Sequence, residues 1–348
     1  MFFKHPVYIV TSSAVGGHEE MASPHASHFD FFHERDTFGE DTFEKAESEL
    51  SRIAFNFLLN KAGKSPQEID LVISGDLQNQ CVASSYGLYT FGIPYLPLYG
   101  ACSTCTEGLL VGSLYLQGTD RSRPHYVGVV TTSHNSVAER QFRTPLEYGA
   151  ERTPTAQWTA TAGGAFLLTE TADGCFPPCE CPYPVRIVWG RAGKVIDGAI
   201  SDASNMGAAM APAARESIRH FFESTHFSVE DLDAVITGDL GEVGSALLLD
   251  LLCEDGVDIQ KIHHDCGMCL YDKTIQDVHS GASGCGCSAS LLSAMVLPKM
   301  HRGEWKRVLF LSTGALMSPS SILQGISIFG IAPAVLLETE EKKLFRRV

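Results

Sequence analysis

The chemistry this chain can offer is concentrated at Cys102. It lies in Leu98-Tyr99-Gly100-Ala101-Cys102-Ser103-Thr104, where an apolar run from Phe91 to Leu98 gives way to small residues and then to Leu109, Leu110, Leu114 and Leu116 at helical spacing. A cysteine at the head of a helix sits beside unpaired backbone N–H groups and the positive end of the helix dipole, which lowers a thiol pKa and attracts anions. Cys102 therefore reads as a nucleophile or as part of an anion-binding floor. The plain alternative is a buried structural thiol, because free cysteine is among the most buried residue types. Other polar groups that could act with it are the Ser133-His134-Asn135 turn, Arg140 and Arg143, His264-Asp265, and His279 in His279-Ser280-Gly281-Ala282-Ser283-Gly284. The arginines carry forked donors suited to carboxylates, yet Glu139, Glu147 and Glu151 are at hand to pair with them in solvent. Asp265 equally fits a turn in Asp265-Cys266-Gly267. The thiols of Cys175, Cys179 and Cys181, and of Cys266-x-x-Cys269 with Cys285-x-Cys287, do not repeat the paired spacing of a zinc ribbon.

Positioning these groups takes alternating strands and helices. Val7 to Ser12 reads as a first strand, and Gly16 to Asp36 as a solvated irregular segment whose histidines, His18, His25, His28 and His33, are too unevenly spaced for a metal site. Phe43, Ala46, Leu50, Ile53, Ala54, Phe57 and Leu58 form a helical stripe over Asp41 to Leu59, and Ile69 to Ser74 a buried strand. Ile69-Asp70-Leu71-Val72-Ile73-Ser74-Gly75-Asp76-Leu77 returns as Leu232-Asp233-Ala234-Val235-Ile236-Thr237-Gly238-Asp239-Leu240. In the same order, Gly100-Ala101-Cys102-Ser103 before a helix is matched by Gly281-Ala282-Ser283-Gly284 before the apolar run Ala289 to Leu297. Strands then follow at Tyr126 to Thr132 and at Val308 to Ser312. Two echoes in one order predict a duplicated α/β unit, with an N-terminal half over 1–175 and a C-terminal half over 176–348.

A length of 348 residues with 44% hydrophobic content allows one large or two medium folded units with a sizeable core. The net charge of −15 argues against nucleic acid and anionic lipid as partners, so an anionic ligand must be held by helix ends or a few placed arginines. The odd cysteine count of 11, and Lys4, His5 and Pro6 where a signal peptide would carry an uninterrupted apolar run, point to a reduced, intracellular protein. Leu77 to Thr106 and Val308 to Leu337 lack charge, but proline, glycine and polar residues interrupt both, so neither is expected to span a membrane.

The duplicated pattern, with a cysteine at a buried helix start in the first half and a His-x-Gly-x-Ser-Gly loop in the second, resembles the thiolase superfamily. That resemblance implies two stacked halves in a five-layer αβαβα fold and a cysteine that forms an acyl-enzyme. A narrower set of phrases is similar to the stage V sporulation protein AD family. It comprises Gly75-Asp76-Leu77, Tyr99-Gly100-Ala101-Cys102-Ser103-Thr104, Ser133-His134-Asn135, Ala138-Glu139-Arg140-Gln141-Phe142-Arg143, Glu147-Tyr148-Gly149, Met210-Ala211-Pro212-Ala213-Ala214, Thr237-Gly238-Asp239-Leu240, His264-Asp265-Cys266-Gly267 and Gly284-Cys285-Gly286-Cys287-Ser288-Ala289. The family implies a dipicolinic acid-binding subunit of the SpoVA membrane complex in sporulation and spore germination. Such a subunit would support calcium dipicolinate transport into the forespore and its release, peripheral to the inner membrane through partner subunits. A homodimer is implied by the wider superfamily.

Acyl transfer in that superfamily needs a proton-moving partner and an oxyanion hole besides Cys102. Where catalytic relatives carry imidazole and amide side chains, this chain has Thr237-Gly238-Asp239-Leu240-Gly241-Glu242-Val243-Gly244, and the residue after His279 is Ser280 in place of proline. The expectation is a binding protein and not an enzyme; the alternative is an acyl-CoA condensing or thiolytic enzyme with Cys102 as nucleophile and His279 as base. The expected ligand contacts are Cys102, Ser103 and Thr104 at the helix start, His134 and Asn135, Arg140 and Arg143, and His264 with Asp265. A carboxylate repels a bare dianion, so Asp265 makes sense there only beside a cation, either an arginine or ligand-bound calcium. No cofactor and no resident metal are expected.

Overall fold

The structure is a computed structural model that describes residues 1–142, 152–171 and 183–339. Its main sheet contains, in chain order, β1 (Phe2–Gly16), β2 (Leu71–Gly75), β3 (Tyr95–Pro97), β4 (Tyr126–Ser133), β5 (Ala162–Thr169), β6 (Val185–Arg191), β7 (Ala234–Thr237), β8 (His263–Asp265), β9 (Arg307–Leu311) and β10 (Ala334–Thr339). Across the sheet the order is β8-β7-β9-β10-β6-β1-β5-β4-β2-β3. Read from its outer edge, each half therefore runs third, second, fourth, fifth, first. The directions match as well: β2, β3 and β4 are parallel, as are β7, β8 and β9, while β5 and β10 run antiparallel to their neighbours. The repeated phrases are the second strand of each half, and Gly75 and Gly238 stand at matching strand ends.

Alternation along the strands divides the molecule into layers, because successive side chains point to opposite faces. Val72, Val130 and Leu167 pack outward on the apolar stripe of α1 (Phe43–Ala62). Ile73, Val129 and Leu168 point inward, into one cluster with Ile236, Phe310 and Leu337 of the second half. Within that shared layer lie α2 (Thr104–Gln117) and the helical run that begins with Cys285–Leu291 and ends with Leu297–His301. Val235, Leu309 and Leu336 pack outward on the other side, against α3 (Met206–Ser224) and α4 (Gly241–Glu254). The result is the five-layer αβαβα, thiolase-like arrangement. The 175/176 boundary of the halves falls outside the described residues.

Local signals set the ends of α1. Thr42 accepts a hydrogen bond from the Lys45 N–H at 3.3 Å, and Gly63 closes the helix in the left-handed region at φ 61°. The segment read as a solvated loop is more ordered than expected. Phe31 and Phe32 pair alongside β1, two 3₁₀ turns lie at Glu19–Ala22 and Ala26–His28, and Glu20 is fully buried.

Gly75 shows how tightly the strand ends meet. A Cβ placed there would lie 2.1 Å from the Leu98 carbonyl oxygen, and that segment is fixed by the Leu98 N–H bond to Ser74 O at 2.9 Å. Gly75→Ala is therefore expected to destabilise the fold by about 3 kcal/mol, through backbone overpacking, in a denaturant melt.

Candidate functional site

The chain leaves β3 and turns sharply before α2. Ala101 takes a positive φ of 52°, uncommon for a residue with a side chain, and Cys102 follows it. Small polar side chains tie this turn together. Ser103 Oγ donates to Gly100 O at 2.7 Å, Thr104 Oγ1 donates to Ala101 O at 2.7 Å, and the Gly100 N–H donates to Thr104 Oγ1 at 3.1 Å. Ser103 Oγ also lies 2.9 Å from Glu107 Oε1. Ser103 and Thr104 thus spend their hydroxyls on the elbow that presents Cys102.

From the second half, the loop after β7 brings Asp239 and the loop Gly281-Ala282-Ser283-Gly284 brings Ser283. Cys102 Sγ is 3.9 Å from Ser283 Oγ, which donates to Asp239 Oδ2 at 3.1 Å. The Gly284 N–H donates to the same oxygen at 2.8 Å, and Thr313 Oγ1 donates to Oδ1 at 2.8 Å. Above this floor runs a cleft between the halves. Leu77, Ala101 and Cys102 line it from the first half, Ser283, Ala315 and Met317 from the second, with Ala138, Glu139, Phe142, Thr159 and Met206 completing the wall. Its free space is about 30 Å³, room for a water or two. Among the described lining residues Glu139 carries the single charge.

The electrostatics reverse one expectation. Burial, and then the Asp239 carboxylate, push the Cys102 thiol well above its ordinary pKa. The helix start was expected to lower it, but partial charges at a helix end do not offset loss of water plus a neighbouring full charge. Asp239 is itself raised to about 6, chiefly by burial.

The remaining expected site residues are placed as follows. His134 is buried, with Nε2 2.6 Å from Asp36 O and its ring against Phe43. Asn135 donates from Nδ2 to the carbonyl of Thr159, bracing the cleft wall without lining it. Arg140 is exposed and pairs with Glu44, away from the cleft; Arg143 lies outside the described residues, as do Glu147 and Glu151. His264 is half-buried against Trp305. Asp265 is not a pocket group: it accepts from Thr237 Oγ1 at 2.6 Å, the Leu240 and Gly241 N–H groups at 2.9 Å and the Met268 N–H at 3.2 Å. His279 is not a base for Cys102. Its Nδ1 contacts Thr153 O at 2.8 Å and its Nε2 Asp277 at 3.0 Å, in a separate surface groove that includes Lys273 and Glu242. The residue that meets Cys102, Asp239, was overlooked, although the repeat pointed to it: its counterpart Asp76 is also a buried strand-end carboxylate, holding the Gln78 and Ser84 N–H groups.

The family description of stage V sporulation protein AD matches residues 1–338. Stage V sporulation protein AD of Bacillus subtilis (strain 168) is 37% identical over 336 residues, covering 97% of this chain and 95% of that protein. The chain belongs to the stage V sporulation protein AD family. As a member of that sporulation family it shares its fold, but not its sequence, with condensing enzymes. A tetronic acid condensing enzyme superposes with a TM-score of 0.57 at 16% identity, over 95% of this chain and 99% of the other. Xanthomonas campestris OleA bound to cerulenin gives 0.58 at 14%, over 96% and 100%. A 3-oxoacyl-[acyl-carrier-protein] synthase III from Aquifex aeolicus gives 0.52 at 12%, over 95% and 99%. At such identities the likeness extends to the fold alone. In this stage V sporulation protein AD family member, no described helix is long and apolar enough to cross a membrane.

Proposed function

We propose that this chain is a dipicolinic acid-binding subunit of the SpoVA membrane complex, acting in dipicolinate uptake and release, and that its site binds without acyl transfer. Family membership supports the ligand. The observation that carries binding over catalysis is the floor of the cleft, where Cys102 meets Ser283 and Asp239 and, among the described residues, no imidazole. A thiol kept neutral beside a carboxylate is a poor nucleophile.

The cleft must widen to admit a planar dicarboxylate, since its free space of about 30 Å³ is far below the roughly 300 Å³ and more of small-molecule sites. Met206 and Met317 at its wall are the side chains best able to move, being unbranched and readily repacked. With Glu139 in the wall, Asp239 behind the floor and no basic side chain among the described lining residues, the site disfavours a bare dianion. An electroneutral calcium chelate fits its charge better, with Glu139 in the role first assigned to Asp265.

Glu139→Gln is thus expected to tighten metal-free dipicolinate several-fold and to weaken the chelate, as read by calorimetric titration of each form. Cys102→Ala keeps the backbone donors and removes only a small polarizable wall, so its cost should be on the order of 1 kcal/mol. The test of the reading as a whole pairs two measurements on the wild-type chain. Dipicolinate should raise the melting temperature where coenzyme A does not, and incubation with acetyl-CoA should leave the intact mass unchanged. A stoichiometric acyl adduct on Cys102 would establish the enzyme instead.

A further inference from the structure

Asp239 is held more firmly than a strand-end turn requires. It is fully buried, and its carboxylate receives three donors from two segments: Thr313 Oγ1, the Gly284 N–H and Ser283 Oγ, at 2.8, 2.8 and 3.1 Å. Its own N–H donates to Thr313 Oγ1 at 3.1 Å, and its carbonyl accepts from Gln157 Nε2 at 2.7 Å. Such a socket of donors suits an ionised carboxylate fixed in place. Ser283 then bridges that carboxylate to Cys102, 3.9 Å away.

We propose that Asp239 is a positioning residue that holds Cys102 in its S–H form, so that whatever enters the cleft meets a neutral, polarizable sulfur and not a thiolate. The inference rests on the reading of a site that binds without acyl transfer, and it says which residue makes it so. Burial opposes loss of the thiol proton, and a fixed negative charge beside the thiol adds to it in the same sense. Among the described residues, the titratable groups around Cys102 are acids. Cys102 faces Asp239, Cys285 and the Tyr99 hydroxyl, with Glu139 in the cleft wall; beyond Asp239 stand Asp265, Cys266 and Cys287. Every one of these is an acid, so none supplies the positive charge that would draw the proton off.

The test reads the proton directly and needs no reagent to enter the cleft. The Raman S–H stretching band of Cys102 is isolated as the difference between the wild-type chain and Cys102→Ser, and followed with pH in wild type and in Asp239→Asn. The wild-type band should persist to about pH 10, whereas in Asp239→Asn it should be lost at a pH lower by at least about one unit, or about ten times more thiolate at a given pH. Asp239→Glu, which keeps the charge, should restore the wild-type titration, a rescue that a purely structural role would not tie to charge. Should Asp239→Asn fail to fold, the wild-type band alone decides. Its frequency should move between pH 5 and pH 8, as the carboxylate facing the thiol titrates. Identical titrations in wild type and Asp239→Asn, a wild-type thiolate near pH 8, or a band unmoved between pH 5 and pH 8 would each overturn the assignment. Dipicolinate titration of the same samples keeps the ligand question separate, because failure to bind counts against the ligand and leaves the band to judge Asp239.

Discussion

Asp265→Ala is expected to lower the free energy of unfolding by about 4 kcal/mol, and to do so with or without ligand. The carboxylate is fully buried and accepts from Thr237 Oγ1 and from the N–H groups of Leu240, Gly241 and Met268. Truncation leaves four buried or part-buried donors without that acceptor, each costing about 1 kcal/mol or more. Two of them, at Leu240 and Gly241, open the loop that sets Asp239 and α4, so local unfolding should begin there. A denaturant titration checks the size of the loss. If Asp265→Ala instead kept full stability and lost only ligand affinity, Asp265 would be a pocket residue after all.

The second large effect is a fall in stability as pH rises from about 4 to about 7. Burial raises Glu20 and Asp265 to about 7 and Asp239 to about 6, from ordinary values of 4.5 for Glu20 and 3.8 for the two aspartates. A carboxyl whose pKa is higher in the folded chain binds its proton more tightly there. Its contribution is therefore fully present below the unfolded pKa and is lost as pH climbs through the folded one. Each shift of two to three units corresponds to about 3 kcal/mol, and the three act in the same direction. Glu47, Asp76 and Glu107 are also raised by burial and reinforce the trend. Surface acids oppose it only in stronger acid: the Ser65 N–H and Lys64 hold Glu68 down to about 2, so that stabilisation is lost below the ordinary glutamate range. Buried histidines oppose the trend within the same window: burial lowers His263 to about 4 and holds His25, His134, His264 and His301 below the ordinary 6.5, so their contribution is lost as pH falls. With fewer large shifts among them they reduce the carboxyl effect without reversing it, and maximum stability is expected near pH 4 to 5. Urea midpoints measured from pH 3 to pH 8 check this, and a maximum near pH 8 would mean that the buried carboxylates are matched by cations.

Much of the frame was legible because it is written in periodicity. The stripe of Phe43, Leu50, Ala54 and Leu58 with Thr42 before it and Gly63 after it states a helix, and the repeated Gly-Asp-Leu strand ends state a duplication. β1 was read short, since Phe2 to Pro6 alternates poorly; pairing of Phe2 with Trp189 and of Val7 with Ile187 in β6 extends it. The site was harder to read. An acid at the end of an apolar strand looks alike in sequence whether it faces a ligand or the core, so Asp265 was placed in the pocket and Asp239 passed over. His279 adjoins the loop that carries Ser283, yet at φ 49° its ring faces Thr153 and Asp277. The Cys102 thiol is raised first by burial and then by Asp239, which reaches it across the halves, and no local pattern reports either.

Whether dipicolinate occupies the cleft over Cys102 is decided by a crystal structure of the wild-type chain grown with calcium and dipicolinate. The pyridine ring is expected between Cys102 and Met317, with Met206 or Met317 displaced from its present position and the calcium toward Glu139. Ligand density elsewhere, with the cleft still closed over an unmodified Cys102, would contradict it.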